Sequence, residues 1–190
     1  LGVYEAANYF ADGKRPEKLG QAHRGSSPYQ VFQTSDGWIT IGGAQQNFFR
    51  RLCALIDRPE LADDPRFRSN ALRVKNNEQI VAILQERVLT RRTAEWLAAL
   101  EAEGIPAGPV LHHDEVFADP QILARGMVAE VDHARAGRQK TLGVPLKMSA
   151  TPAGVRRAAP TLGQHDAEVR AEVQAKARDK ARAGAKKKRS

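Results

Sequence analysis

Few residues in this chain have the type and spacing that chemistry needs. Gly42-Gly43 follow the β-rich run Trp38-Ile39-Thr40-Ile41, and glycines at that point let backbone amides approach a ligand with no Cβ in the way. The pair is not G-x-G-x-x-G and no P-loop lysine follows it, so as a phosphate cradle it is weak, and a tight turn is the plainer reading. His112-His113-Asp114 has metal-ligand chemistry. Adjacent side chains of an extended chain point to opposite sides, however, and no third ligand stands at a useful spacing, so no metal is expected. Asp63-Asp64 would offer two carboxylates for acid–base work, but ahead of Pro65 they read as turn and helix-cap residues. His133 and His165 are isolated and read as surface or capping residues. Cys53 falls on the apolar side of a helix with no His or Lys placed beside it, which makes it a buried, inert thiol. On these residues alone no catalytic constellation is complete.

The elements that must hold them follow from periodicity. Val3, Ala6, Ala7 and Phe10 repeat as one face of an opening helix, and a Gly-, Pro- and charge-rich stretch then reads as a linker as far as residue 28. Two β-rich runs, from Tyr29 and from Trp38, flank Ser35-Asp36-Gly37, a hairpin signature. After the glycines, Asn47 is placed to cap a helix carrying Phe48, Phe49, Leu52, Leu55 and Ile56. Ile80, Ile83, Leu84 and Val88 mark a long helix, and Trp96, Leu97 and Leu100 mark another, with Thr93 as its cap and Gly104 as its stop. Ile105–Leu111 is extended because proline biases its predecessor away from helix. Short helices at Asp114–Ala118 and Pro120–Arg125 precede a second hairpin, Met127–Val131 with a turn at Ala136-Gly137-Arg138. The Pro- and Gly-rich residues 143–163 follow. The fold class is mixed α/β, with irregular connections that need something further to pack against.

Composition sets the outer limits. With 42% hydrophobic and 27% charged residues over 190 positions, the chain is globular rather than fibrous or wholly disordered. One cysteine excludes a disulfide framework and fits a reducing, cytoplasmic setting. No apolar run approaches the roughly 18 residues that a membrane span needs. The net charge of +8 is concentrated: residues 176–190 hold eight Lys and Arg against Asp179 alone, which leaves +1 for residues 1–175. That tail reads as disordered or loosely helical. Without interleaved aromatics for base stacking it reads as a solubilising appendage sooner than as a nucleic-acid contact.

Ser27-Pro-Tyr-Gln-Val-Phe, Ser35-Asp-Gly-Trp-Ile-Thr-Ile-Gly, Phe49-Arg-Arg-Leu-Cys, Asp64-Pro-Arg-Phe with Asn70 and Arg73, Glu95-Trp-Leu and Gly104-Ile-Pro-Ala-Gly-Pro-Val stand in an order and spacing that resembles the class III CoA-transferases. This is the CaiB/BaiF family of formyl-CoA and carnitine CoA-transferases and α-methylacyl-CoA racemase. Asp119-Pro-Gln, Arg125-Gly-Met-Val, Gly143-Val-Pro-Leu-Lys-Met-Ser and Ala159-Pro-Thr-Leu-Gly-Gln-His continue the likeness to about residue 172.

The resemblance implies a C-terminal fragment of such an enzyme. Residues 1–28 would be a crossing helix and linker, 29–112 a small α/β domain, 113–165 a return segment that completes a Rossmann-like large domain, and 166–190 the basic tail. A chain that opens at Leu1 inside helical periodicity fits that expectation. The family's nucleophilic Asp, which carries CoA as a thioester, would lie upstream, so no catalytic residue is assigned here and the isolated fragment should be inactive. Coenzyme A thioesters and carboxylic acids would be the substrates, with no covalent cofactor. The full-length enzyme would be an interlocked dimer with no membrane partner. Gly42, Gly43, Ala44 and Gln45 match the family's loop over the reacting thioester, a lid that shields anhydride from water. Tyr29 matches a site-facing aromatic or else serves as a strand core residue. Gln46 stands where racemases carry a Glu, which favours transfer over proton abstraction at Cα. The alternatives are an acyl-CoA racemase of the same fold and a non-catalytic small-domain binding module.

Overall fold

The Ser35-Asp36-Gly37 turn closes the expected hairpin. Strand β1 (Tyr29–Gln33) pairs antiparallel with β2 (Trp38–Gly42), setting Tyr29 opposite Gly42 and Gln33 opposite Trp38. A third strand, β3 (Ala107–Pro109), joins the free edge of β2, with Ile39 opposite Pro109 and Ile41 opposite Ala107. Alternation decides the faces: Phe32, Ile39 and Ile41 are buried, while Trp38 and Thr40 point outward. The computed structural model describes residues 2–187, with side chains as far as residue 178, and the chain forms two units, Leu1–Val110 and Leu111–Ser190.

In the first unit the inner face of the sheet is covered by helices. After α1 (Val3–Asp12) and the hairpin come α2 (Gln46–Leu55), a 3-10 turn (Pro59–Ala62), α3 (Asn70–Lys75), α4 (Asn77–Val88) and α5 (Thr93–Ala102). Their apolar stripes meet in one cluster that includes Phe49, Leu52, Cys53, Ile80, Leu84 and Trp96. Each large side chain buried there contributes roughly 1.5–3 kcal/mol. The Trp96 indole N–H donates to the Val88 carbonyl at 2.8 Å, so the ring's one polar atom is satisfied inside the core.

Two predicted caps fall elsewhere. Helix α2 starts at Gln46 with Gln45 extended before it and no side-chain cap, so Asn47 lies inside the helix and caps nothing. In α5 Thr93 is the first helical residue, and its amide donates to Asp36 Oδ1 at 2.7 Å. The cap therefore arrives from the hairpin turn, 57 residues away. Glu95 Oε2 also accepts the Arg92 amide at 2.8 Å. Gly104 ends α5 as expected: at φ +62° it allows the Ile105 amide to reach back to the Leu100 carbonyl at 2.8 Å.

The Thr93 amide, then the Arg92 and Thr93 side chains, hold the Asp36 carboxyl near 2, against an ordinary 3.8. A carboxyl whose folded pKa lies below its unfolded one stabilises the fold fully above the unfolded value, and that stabilisation fades as pH falls through the folded value. The gap in urea-unfolding stability between wild type and Asp36→Asn should thus be flat from neutral pH to about pH 5 and close between about pH 4 and pH 2. A gap still undiminished at pH 2 would show that the Asp36 charge is not what secures α5.

The second unit contains α6 (His113–Ala118), α7 (Pro120–Ala124) and an antiparallel hairpin of β4 (Val128–His133) and β5 (Gly137–Leu142). Asp119 caps α7, its Oδ1 accepting from the Gln121 and Ile122 amides. His133 caps the hairpin turn through Nδ1, which accepts from the Arg135 and Ala136 amides. Among the described residues of this unit none is buried, and Leu123, Leu142, Leu146 and Met148 are each at least half exposed. Asp166–Lys187 then forms a helix, α8, within the stretch expected to be a disordered or loosely helical tail. Lys188 and Arg189 of the basic run lie outside the described residues.

Candidate functional site

The loop between β2 and α2 is tight because its surroundings leave no room for side chains. The Gly42 amide donates to the Pro106 carbonyl at 2.7 Å, and a Cβ on Gly42 would stand 3.3 Å from Pro106 and from the Tyr29 ring. A Cβ on buried Gly43 would come within 2.8 Å of Leu52 Cδ2 and 3.3 Å of Pro28 Cγ. Neither glycine has a positive φ. Crowding, rather than a special backbone conformation, favours glycine at both positions, most sharply at Gly43.

Beneath the loop lies Arg73, fully buried on α3. Its Nε donates to the Ser27 carbonyl at 2.7 Å, and Nη1 donates to the Phe67 carbonyl at 2.8 Å and to Gln46 Oε1 at 2.9 Å. Nη2 donates to the Ala44 carbonyl at 2.6 Å. The guanidinium plane also lies 4.2 Å over the Phe49 ring, a cation–π contact strengthened by the absence of water. Burial lowers the Arg73 pKa from its ordinary value. Asn70 and Asn77 complete the clamp. Asn70 accepts the Ser27 amide and donates to the Gly25 carbonyl, and Asn77 Oδ1 accepts the Ser27 hydroxyl at 2.7 Å. One planar donor thus ties together the approach to β1, the glycine loop, the start of α2 and the segment before α3. A point-charge ammonium could not span these four acceptors.

The predicted site residues gather on this frame. Gly42, Gly43, Ala44, Gln45 and Gln46 form one continuous arc, and Tyr29 stands across from Gly42 in the strand register. Tyr29 is 52% exposed, which overturns the core-residue reading: the pleat turns it to the outer face, where its ring meets His23 edge-on at 5.4 Å. Tyr29, Gly42, Gln21, Gln30, Thr40 and Gly108 line a cleft of about 340 Å³. Ala44, Gln45 and Gln46, with Ser26, Arg68 and Arg73, line a second, more open hollow of about 710 Å³. Neither lining includes a carboxylate. The Gln46 amide oxygen is occupied by Arg73, so this side chain is a fixed hydrogen-bonding group and not a base.

The remaining candidates stand apart from the loop. Asp64 accepts the Arg66 amide at 2.8 Å and pairs with the Arg66 guanidinium at 2.7 Å, which lowers its pKa; it is turn chemistry, as expected. Asp63 is exposed, 4.0 Å from Arg50. The His112 amide opens α6 by donating to Glu115 Oε2 at 2.7 Å, and among the described residues no group of three or more His, Cys, Asp or Glu could hold a metal. Burial pushes the Cys53 thiol up to about 12, so at neutral pH it carries no thiolate with which to react. Sequence reasoning did not assign Arg73 and Asn70 any role at the loop. Nothing local in Asn70-Ala71-Leu72-Arg73 signals burial; only the convergence of four separate segments on one guanidinium does.

Comparison with known proteins places this frame. The model of CoA-transferase family III matches residues 2–166. The chain is similar to succinyl-CoA:glutarate CoA-transferase of Homo sapiens, at 37% identity over 168 residues, 88% of this chain and 38% of that protein. It is also similar to acetyl-CoA:oxalate CoA-transferase of Acetobacter aceti, at 34% over 168 residues, 88% and 42% respectively. A crystal structure of a CAIB/BAIF family protein from Brucella suis superposes with a TM-score of 0.71 at 36% identity, covering 90% of this chain and 44% of that one. The chain spans about two fifths of the length of the curated relatives it matches.

Proposed function

Because the chain belongs to CoA-transferase family III, we propose that it forms part of an enzyme moving CoA between an acyl-CoA and a carboxylic acid. In this reading an aspartate outside these 190 residues attacks the thioester carbonyl and expels CoA as thiolate, leaving an aspartyl-acyl anhydride. The thiolate then attacks the aspartyl carbonyl and releases the first acid, so that the enzyme carries CoA as an aspartyl thioester. The second acid reverses these steps. Splitting the exchange in this way replaces one difficult transfer with easier acyl substitutions.

The observation that carries the proposal is the backbone arc Gly42–Gln45, whose first three residues bear nothing larger than a methyl and whose Ala44 carbonyl is held from beneath by Arg73. An anhydride survives only where water is kept away, and a close-fitting backbone wall does this without adding a nucleophile. Gly42, Gly43, Ala44 and Gln45 form that wall, and Tyr29 and Gln46 line its margins. The exposed apolar residues of α1, Val3, Tyr4 and Phe10 at 71%, 76% and 82%, support a further domain packing there. We take the working form to be a cytoplasmic dimer. The occupied Gln46 amide favours transfer over racemisation.

The test is CoA exchange from succinyl-CoA to added carboxylic acids, followed by chromatography of the acyl-CoA products. It is run on the 190-residue chain and on the protein extended to the length of its relatives. Transfer by the extended protein and none by the chain alone is expected. Exchange of the Cα hydrogen with deuterated water in place of transfer would overturn the reading in favour of a racemase.

A further inference from the structure

Several guanidinium groups of the first unit meet a carboxylate: Arg24 meets Glu5, Arg66 meets Asp64 and Arg92 meets Asp36. Arg73 differs. It is fully buried, yet its acceptors, the carbonyls of Ser27, Phe67 and Ala44 and the Gln46 side-chain amide, are all neutral. These bonds satisfy its donors without cancelling its charge, and a charge held out of water is costly until an opposite charge meets it. That charge borders open space. Arg73 lines the hollow of about 710 Å³ beside the glycine loop, together with Ala44, Gln45, Asn47 and Arg68. Arg68 is exposed there, and among the described residues its guanidinium has no ion pair. Helix α2 opens into the same lining at Gln46 and Asn47 without a side-chain cap, and a helix N-terminus adds partial positive charge. The neighbouring cavities are balanced: the cleft at Tyr29 is lined by uncharged residues, and beside α1 the charge of Arg24 is met by Glu5.

We propose that this hollow binds the carboxylate of the acid that accepts CoA, held by Arg68 and balanced by the buried charge of Arg73. The assignment rests on the CoA-transfer reading above and adds where the acid is held before it reacts. The two arginines divide the work. The donors of Arg73 are spent on the protein, so it contributes charge alone, whereas the free guanidinium of Arg68 offers the parallel N–H groups that fit a carboxylate. The other anionic oxygens in the reaction are the phosphates of CoA, and position favours the carboxylate over them. The hollow shares Ala44 and Gln45 with the backbone arc that closes over the thioester carbonyl in that reading, and the phosphates of CoA lie at the far end of the pantetheine arm from that carbonyl.

The experiment is saturation-transfer NMR of the succinate methylene protons, titrated with the full 190-residue chain at fixed ionic strength. Succinate should bind, and Arg68→Gln should weaken it by at least about 10-fold. Gln46→Glu places a carboxylate on Arg73 and should also weaken succinate at least about 10-fold, while the urea-unfolding midpoint holds or rises. Loss of folding cannot produce that split. Arg58→Gln, outside the hollow, should change neither quantity, and circular dichroism checks that each variant stays folded. No succinate binding, unchanged affinity in Arg68→Gln or in Gln46→Glu, or tighter Arg68-dependent binding of inorganic phosphate than of succinate would each overturn the assignment, the last in favour of the phosphates of CoA. CoA exchange by the extended protein is scored separately. Its absence beside Arg68-dependent succinate binding would overturn the transferase reading and leave a carboxylate site, whereas exchange without such binding would overturn the site alone.

Discussion

Replacing Arg73 with Met should destabilise the first unit by about 3–5 kcal/mol, the largest loss expected from any single substitution at the site. Met fills most of the volume and keeps a contact with Phe49, so the loss is not a cavity effect. Three carbonyls, those of Ser27, Phe67 and Ala44, lose their donor, and a buried acceptor without a partner costs about 1–3 kcal/mol. The guanidinium's own desolvation, visible in its lowered pKa, is relieved and offsets part of this, so the sum stays well below three full penalties. Arg73→Lys should recover only a minor share, because an ammonium reaches one or two of four acceptors in different directions. Urea unfolding followed by tryptophan fluorescence, with Trp96 buried in the core and Trp38 exposed, reads the effect. The midpoint should fall with little change in slope, and a shift worth less than about 1 kcal/mol would show that water replaces the guanidinium without loss.

Substitution of Gly43 should have the second largest effect, and a different signature. The first added carbon meets Leu52 Cδ2 at 2.8 Å inside the core, so Gly43→Ala should cost about 1–3 kcal/mol by overpacking, and Gly43→Val more. Relief comes most easily by moving the loop outward, since Leu52 is hemmed in by the core cluster. In the CoA-exchange assay on the extended protein, under the proposed function, a displacement of about 1 Å should lower kcat about 100-fold while KM for the acyl-CoA changes little. Leu52→Ala clears the space that the new methyl needs. The double variant Gly43→Ala with Leu52→Ala should therefore be more active than Gly43→Ala alone, a non-additivity expected only of residues in contact. Strict additivity in both stability and kcat would mean that the loop does not bear on Leu52.

Much of this protein was legible before its structure. The hairpin around Asp36-Gly37, the apolar stripes of α4 and α5, the stop at Gly104 and the second hairpin all follow from local rules, because turn chemistry and periodicity act over a few residues. The same holds for the turn role of Asp64 and the inert Cys53. The ordered string of landmarks carried the family, now matched over residues 2–166.

Tertiary structure decided the rest, wherever a partner lies far along the chain. Asp36 caps a helix 57 residues away, so Thr93 read as its own cap. Tyr29 could face either way until the pleat and register fixed it outward. Gly43 is glycine because of a methyl on Leu52, and Arg73 is buried because Ser27, Ala44, Gln46 and Phe67 converge on it. Sequence determined most elements and which of their faces is apolar, since those depend on neighbours within a turn or two, but not the short helix α3 that carries Arg73. It could not determine which polar atom of one element would satisfy another, because that pairing exists only once the hydrophobic core has brought the segments together.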